Sequence, residues 1–282
     1  MKIVILTSET SANVWLVNQL LFQHEIVGIV IERRPLALTE EEKHERRRRM
    51  VQRYGFARTL NKLLYNKIKA RFLDRSEATT IKEHFFPGKT PVTYALPVPI
   101  QVVGNINDPE CIEFIKDYAP DILAVCGTTL IRPEVFTLAP KGAINIHTGI
   151  TPEYRSSDPI FWALYKGEPE KVGVTIHFID QGIDTGPIIH QKTAPVYAND
   201  TLATIYVRCI RRGAELYNRA LTEIANGSVR TVQRNGIKSH AFYSIDLGII
   251  QYLLFRLRFR RMAKRLPPME KAANFPIAEI GK

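Results

Sequence analysis

The chain has 282 residues, 45% of them hydrophobic and 24% charged, with a net charge of +11 at neutral pH. These are the proportions of a soluble globular protein long enough for a full core. Cys111, Cys126 and Cys209 have no CxxC or paired spacing and read as free thiols of a reducing compartment, and the seven histidines show neither HExxH nor a Cys/His cluster.

The opening MKIVILTSET turns polar too soon for a secretory signal, and the apolar run LGIIQYLLF is about half a membrane span. The expected location is the cytoplasm, with a peripheral membrane position as an extension of it. Residues 33–75 carry 14 Lys or Arg against 5 Asp or Glu, and residues 250–271 carry 7 against 1, so the remainder is mildly acidic. Two basic segments on an acidic body do not make a uniformly basic, nucleic-acid-coating protein.

In chain order, KIVILTS reads as a buried parallel strand, ETSANVWLVNQLLFQ as a capped amphipathic helix and EIVGIVIE as a second buried strand. This β-α-β opening predicts a doubly wound, mostly parallel, Rossmann-like α/β sheet. A basic helical insertion is expected over 39–75. It reads as a solvated excursion or as a patch for anionic lipid or a phosphorylated partner. The alternation resumes with IQVVGNIN (strand), DPECIEFIKDYA (helix), PDILAVCG and GAINIH (strands) and PIFWALYKGE (helix). VGVTIHFID and PIIHQKTAPV form an antiparallel-capable pair, and a long helix from Thr201 ends at Gly227. The reading is a 1–227 catalytic domain followed by a short, basic 228–282 extension. That extension can lie on an anionic membrane, close a homodimer or cover its own domain.

The first loop, LTSETSANVW, lacks Gly-x-Gly-x-x-Gly, so a dinucleotide is not expected; its hydroxyls cap a helix or hold a substrate phosphate. The chemistry concentrates in AINIHTGITPEYR. Side chains alternate along a strand, so Asn145 and His147 share one face, at the strand end where such sheets bind ligands. DQGIDTG then supplies Asp180 and Asp184 in a Gly-rich turn. A donating Asn, a proton-carrying His and an orienting Asp suit acyl transfer, with Asn145 and protonated His147 meeting an oxyanion and Asp184 raising the His147 pKa. A His at a strand end is also often plain structure, and His177 and His190 are read that way.

NIHTGITPEYR followed by GVTIHFIDQGIDTG resembles the folate-dependent formyltransferases, which include glycinamide ribonucleotide, methionyl-tRNA and sugar N-formyltransferases. The likeness runs over about 115–197. It implies formyl transfer from N10-formyltetrahydrofolate to a primary amine without a metal, with Asn145, His147 and Asp184 at the catalytic positions. By the same likeness Thr128, Thr129, Leu130, Asp180 and Ile183 would hold the folate, and Thr148, Tyr154, Arg155 and Trp162 would face the amine. Where members of the family often read Tyr-Arg-Gly, Arg155 is followed here by Ser156, Ser157 and Asp158. The first loop disfavours glycinamide ribonucleotide. A nucleotide-linked amino sugar is the expected substrate, ahead of aminoacyl-tRNA or another small amine. A folate-binding relative without turnover is the non-enzyme alternative.

Overall fold

The computed structural model describes residues 1–33, 39–88, 90–233, 237 and 239–268. Strand β1 (Ile3–Thr7) is wholly buried, helix α1 (Ser11–Leu21) follows, and β2 (Ile26–Glu32) lies parallel to β1. Each fully buried Ile or Leu in such a strand contributes about 1.5–3 kcal/mol, which is why an apolar run without alternation settles in the middle of the sheet. After α2 (Glu40–Tyr54), α3 (Phe56–Ile68) and α4 (Asp74–Phe85), the sheet resumes with β3 (Ile100–Val103). Helix α5 (Pro109–Tyr118), β4 (Ile122–Cys126), the short α6 (Pro133–Phe136) and β5 (Ala143–His147) complete the parallel part.

A three-residue β6 (Tyr154–Ser156) and α7 (Pro159–Lys166) lead to β7 (Gly173–Phe178) and β8 (Ile188–Thr193), which pair antiparallel as expected, and β7 also runs antiparallel to β5. Helix α8 (Leu202–Ala225) closes on Gly227, whose φ of 68° is the left-handed conformation that glycine adopts without strain. Then come β9 (His240–Phe242) and α9 (Ile249–Ala263). Among the described residues seven strands form one sheet in the order β3-β2-β1-β4-β5-β7-β8, with α1, α4 and α8 over one face and α5 and α6 over the other.

One boundary differs from the sequence reading. The helical insertion does not stop at 75: it runs through a π-helical turn (Lys69–Leu73) into α4, whose Phe85 packs on Trp15 with ring centroids 4.6 Å apart. Its apolar anchors come after a long polar stretch, so the pattern hides where the excursion rejoins the core. Of the alternatives open for the 228–282 extension, its described residues show contact with the extension's own domain. β9 pairs parallel with β6, and α9 packs on α3 and α7, with the Phe255 and Phe161 rings 4.9 Å apart. The inner face of α9 thus covers its own domain, while Ile250, Leu253 and Leu257 stay exposed. Among the described residues no helix is long and apolar enough to cross a membrane.

Candidate active site

The site is set by the pairing of β5 with β7. Residues directly opposite in an antiparallel pair share a face. Asn145 lies opposite His177 and His147 opposite Thr175, so one side of the pair is polar while Ile144 and Ile146 face the core on the other. The loop after β7 leaves beside Ala143, where the Ile179 amide donates to the Ala143 carbonyl at 2.8 Å. It doubles back to bring Asp184 over this polar face, with Asp184 itself at φ 52°. Asp180 shapes the turn, accepting from the Gly182 amide at 3.0 Å and the Thr185 hydroxyl at 2.6 Å.

His147 Nε2 lies 3.0 Å from the Tyr154 carbonyl. A carbonyl only accepts, so Nε2 carries the hydrogen and Nδ1 is the nitrogen left for chemistry. Nδ1 faces Asp184 Oδ2 at 3.4 Å. His177 has the opposite tautomer by the same logic: its Nδ1 donates to the Phe178 carbonyl at 2.8 Å. Its Nε2 then accepts from Asn145 Nδ2 at 3.3 Å and lies 3.5 Å from Asp184 Oδ1. That contact fixes the Asn145 amide, leaving the second Nδ2 hydrogen for a ligand. The sequence reading placed His177 in the structural background; the structure brings it into the constellation. Thr175 and His177 alternate with Val174 and Ile176, a signal that becomes legible once β5 and β7 are aligned.

Burial is the leading influence on His147 and lowers its pKa below the ordinary histidine range, outweighing the Asp184 carboxylate that would raise it. Asp184 does act in the expected direction, but burial prevails and favours the neutral imidazole, which is the form that can act as a base. Only glycine fits at 149, because a Cβ there would stand 2.6 Å from His147 Nε2 and 2.7 Å from the Tyr154 carbonyl.

Asn145, His147, His177 and Asp184 line a cavity of about 410 Å³, and so do Thr128, Thr129, Leu130, Asp180 and Ile183. Leu130 (63% exposed) and Ile183 (37%) put apolar surface on it, which suits a flat ring system. The loop that carries Thr129 is held by a residue the sequence reading missed, the buried Glu32. Glu32 accepts from the Thr129 amide at 2.8 Å, the Thr129 hydroxyl at 2.5 Å and the Ile106 amide at 3.1 Å. Thr129 therefore shapes this wall with its polar groups already engaged.

The amine-side expectations divide. Tyr154 (1% exposed) and Trp162 (5%) are core residues: the Tyr154 hydroxyl donates to Glu168 and Trp162 stacks on Phe242 at 4.4 Å. Apolar aromatic area beside a loop is buried wherever a neighbouring element can cover it, and here β9 does so. Thr148 is half-buried after β5 and does not line the cavity. Arg155 clamps the site from outside, donating to Ser239 Oγ at 2.7 Å and to the Ile183 carbonyl at 3.1 Å. The first-loop hydroxyls are engaged within the fold: Thr10 caps α1, and Ser8 Oγ donates to the Gly127 carbonyl at 2.8 Å.

A formyl transferase family model matches residues 1–221, which contain the whole constellation. The chain belongs to the formyl transferase family. Among curated members, the methionyl-tRNA formyltransferase of Chlorobium chlorochromatii (strain CaD3) is 32% identical over 160 residues, covering 57% of this chain and 48% of that protein. The chain spans about half the length of the curated relatives it matches. Solved formyl transferases share the fold. A sugar N-formyltransferase from a Shewanella species matches with TM-score 0.55 at 16% identity, covering 92% of this chain and 88% of that one. Glycinamide ribonucleotide transformylase 1 from Symbiobacterium toebii matches with TM-score 0.53 at 19% identity, covering 83% and 94%.

Proposed function

We propose that the protein transfers a formyl group from N10-formyltetrahydrofolate to the primary amine of a nucleotide-linked amino sugar. The observation that carries this is the cross-strand set: an Asn145 amide oriented by His177, beside a neutral His147 whose free nitrogen faces Asp184, all on one wall of one cavity. The apolar rims at Leu130 and Ile183 support a folate on the side of the 127–131 loop.

Each group has a role the geometry supports. The neutral amine nitrogen attacks the formyl carbon, and the second Asn145 Nδ2 hydrogen meets the oxygen as charge develops on it. His147 Nδ1 takes the proton released from the amine, and the Asp184 carboxylate stabilises the resulting imidazolium. As the bond from carbon to the donor nitrogen breaks, His147 returns that proton to the departing nitrogen. A base that rests neutral suits a step that begins by accepting a proton.

The amino-sugar reading is supported by the size of the cavity that holds Asn145 and His147, about 410 Å³, which is on the scale of a small molecule. The likeness to methionyl-tRNA formyltransferases favours charged initiator tRNA as the second reading. The test is release of tetrahydrofolate with dTDP-, UDP- and GDP-linked amino sugars and with charged initiator tRNA. Turnover with a sugar supports the proposal, formylation of the tRNA alone replaces it with the second reading, and folate binding without turnover on any amine overturns both.

A further inference from the structure

A second cavity, of about 590 Å³, lies between α2, α3 and residues 243–245. Lys43, Arg46, Arg47 and Lys62 line it together with Tyr54 and Ser157, and among the described residues no carboxylate does. Ser157 also lines the cavity of Asn145 and His147, so the two spaces meet at that residue. This is where the sequence departs from the family pattern, and the wall beyond it is the basic insertion.

The cations of this cavity are incompletely matched within the protein. Lys43 pairs with Glu40 at 2.7 Å, whereas Arg46 and Arg47 form no ion pair among the described residues. Lys62 is only 8% exposed, and its ammonium, with three hydrogens, donates to the Leu247 carbonyl at 3.1 Å. Burial is the leading influence on its pKa and lowers it, joined by the nearby Lys69 and Arg46 charges, while the Asp158 and Asp246 carboxylates act in the opposite direction. Helix α2 buries none of its residues, so packing does not account for its run of arginines. Like charges held this close repel one another, and an anion placed among them relieves that repulsion.

We propose that this cavity is the phosphate subsite of the amine substrate. A phosphate or diphosphate ester joined to the amino-bearing group passes Ser157 and is held by Lys43, Arg46, Arg47 and Lys62, while the amine reaches His147. The proposal rests on the formyl-transfer reading for its substrate, but anion binding can be measured without turnover. The ester has two chemical sources: a soluble nucleoside diphosphate, or a lipid-borne phosphate, for which the exposed Phe56, Leu60 and Leu64 along α3 provide an apolar flank.

The test pairs the surface variant Arg46→Glu/Arg47→Glu with Lys62→Met, both checked for an unchanged melting transition. Titration with inorganic pyrophosphate and with UDP, followed by 31P NMR, is expected to show salt-sensitive binding to the wild type. The double variant should bind about tenfold or more weakly. In turnover, the KM for a phosphate-bearing amino sugar should rise by a similar factor while its kcat and the KM for formyl-folate stay unchanged. A nucleotide-linked sugar in solution and an amino-sugar phosphate on a polyprenyl lipid in phosphatidylcholine vesicles form the two arms. Preference for either supports the subsite and names its source. Equal pyrophosphate binding and equal KM in wild type and double variant overturn it, as does full efficiency on an amine with no phosphate. Anion binding by the wild type without formylation of any amine overturns the formyl-transfer reading and leaves the subsite standing.

Discussion

The wall carrying Asn145 and the wall carrying Arg46 satisfy their polar groups in different ways. On the first, partners come from the protein: His147 is held by the Tyr154 carbonyl, Asn145 by His177, and Thr129 by Glu32. On the second, Arg46 and Arg47 stand on a helix with no buried residue and have no ion-pair partner among the described residues. A reaction centre has to be held in place before the substrate arrives, so strand register and buried hydrogen bonds define it. A recognition surface can leave its charges for the ligand to complete. The difference separates a centre completed within the protein from a surface whose charges are left to a ligand.

The sharpest way to break the contrast is at the strand face. Asn145→Ala and His147→Ala are each expected to lower kcat by about 10²–10⁴-fold with folate binding kept, measured by tetrahydrofolate release. Undiminished turnover in His147→Ala removes the mechanism. Gly149→Ala tests whether placement alone matters, since the added Cβ crowds His147 Nε2 and the Tyr154 carbonyl. A displacement on that scale is expected to cost about 10² in kcat without touching a reacting group.

The pH profile reads the third partner. Neutral His147 is the active form, so kcat/KM should fall as pH drops through a pKa below the ordinary histidine range. Asp184→Asn removes the charge that favours imidazolium. The acid limb should then move to lower pH while the plateau falls. Protonation of a buried histidine favours the unfolded chain, so stability should also decline as pH falls from the ordinary histidine range toward the His147 value. The smallest effect belongs to the first loop. Thr10→Ala removes the cap of α1 and should cost about 1 kcal/mol in denaturant melts, with the amine KM unchanged. A raised KM there would return a phosphate role to that loop.

The β-α-β opening, the strand pairing of 173–193 and the common face of Asn145 and His147 were all legible, because each follows from a period of two or an unbroken apolar run. His177 was not, since its role exists only through the nonlocal register with β5. Tyr154 and Trp162 misled because an aromatic near a loop reads alike whether it covers a ligand or is covered by β9. The neutral state of His147 was hidden for a related reason: the sequence displays the Asp184 charge but not the depth of burial that outweighs it.

The pairing of β6 with β9 also sets an order of assembly. The Ser157 amide donates to the Phe242 carbonyl, and residues 243–245 complete the basic cavity. Domains emerge from the ribosome N-terminal part first. The seven-stranded sheet, with Asn145, His147 and Asp184, and the cationic helices α2 and α3 can therefore form while residues 243–245, the C-terminal lip of the basic cavity, are still unsynthesised. Closure of the basic cavity then arrives last, with a strand of three residues, and a nascent chain halted before His240 would carry the reactive groups and the cations of α2 and α3 without the segment that completes the space around them.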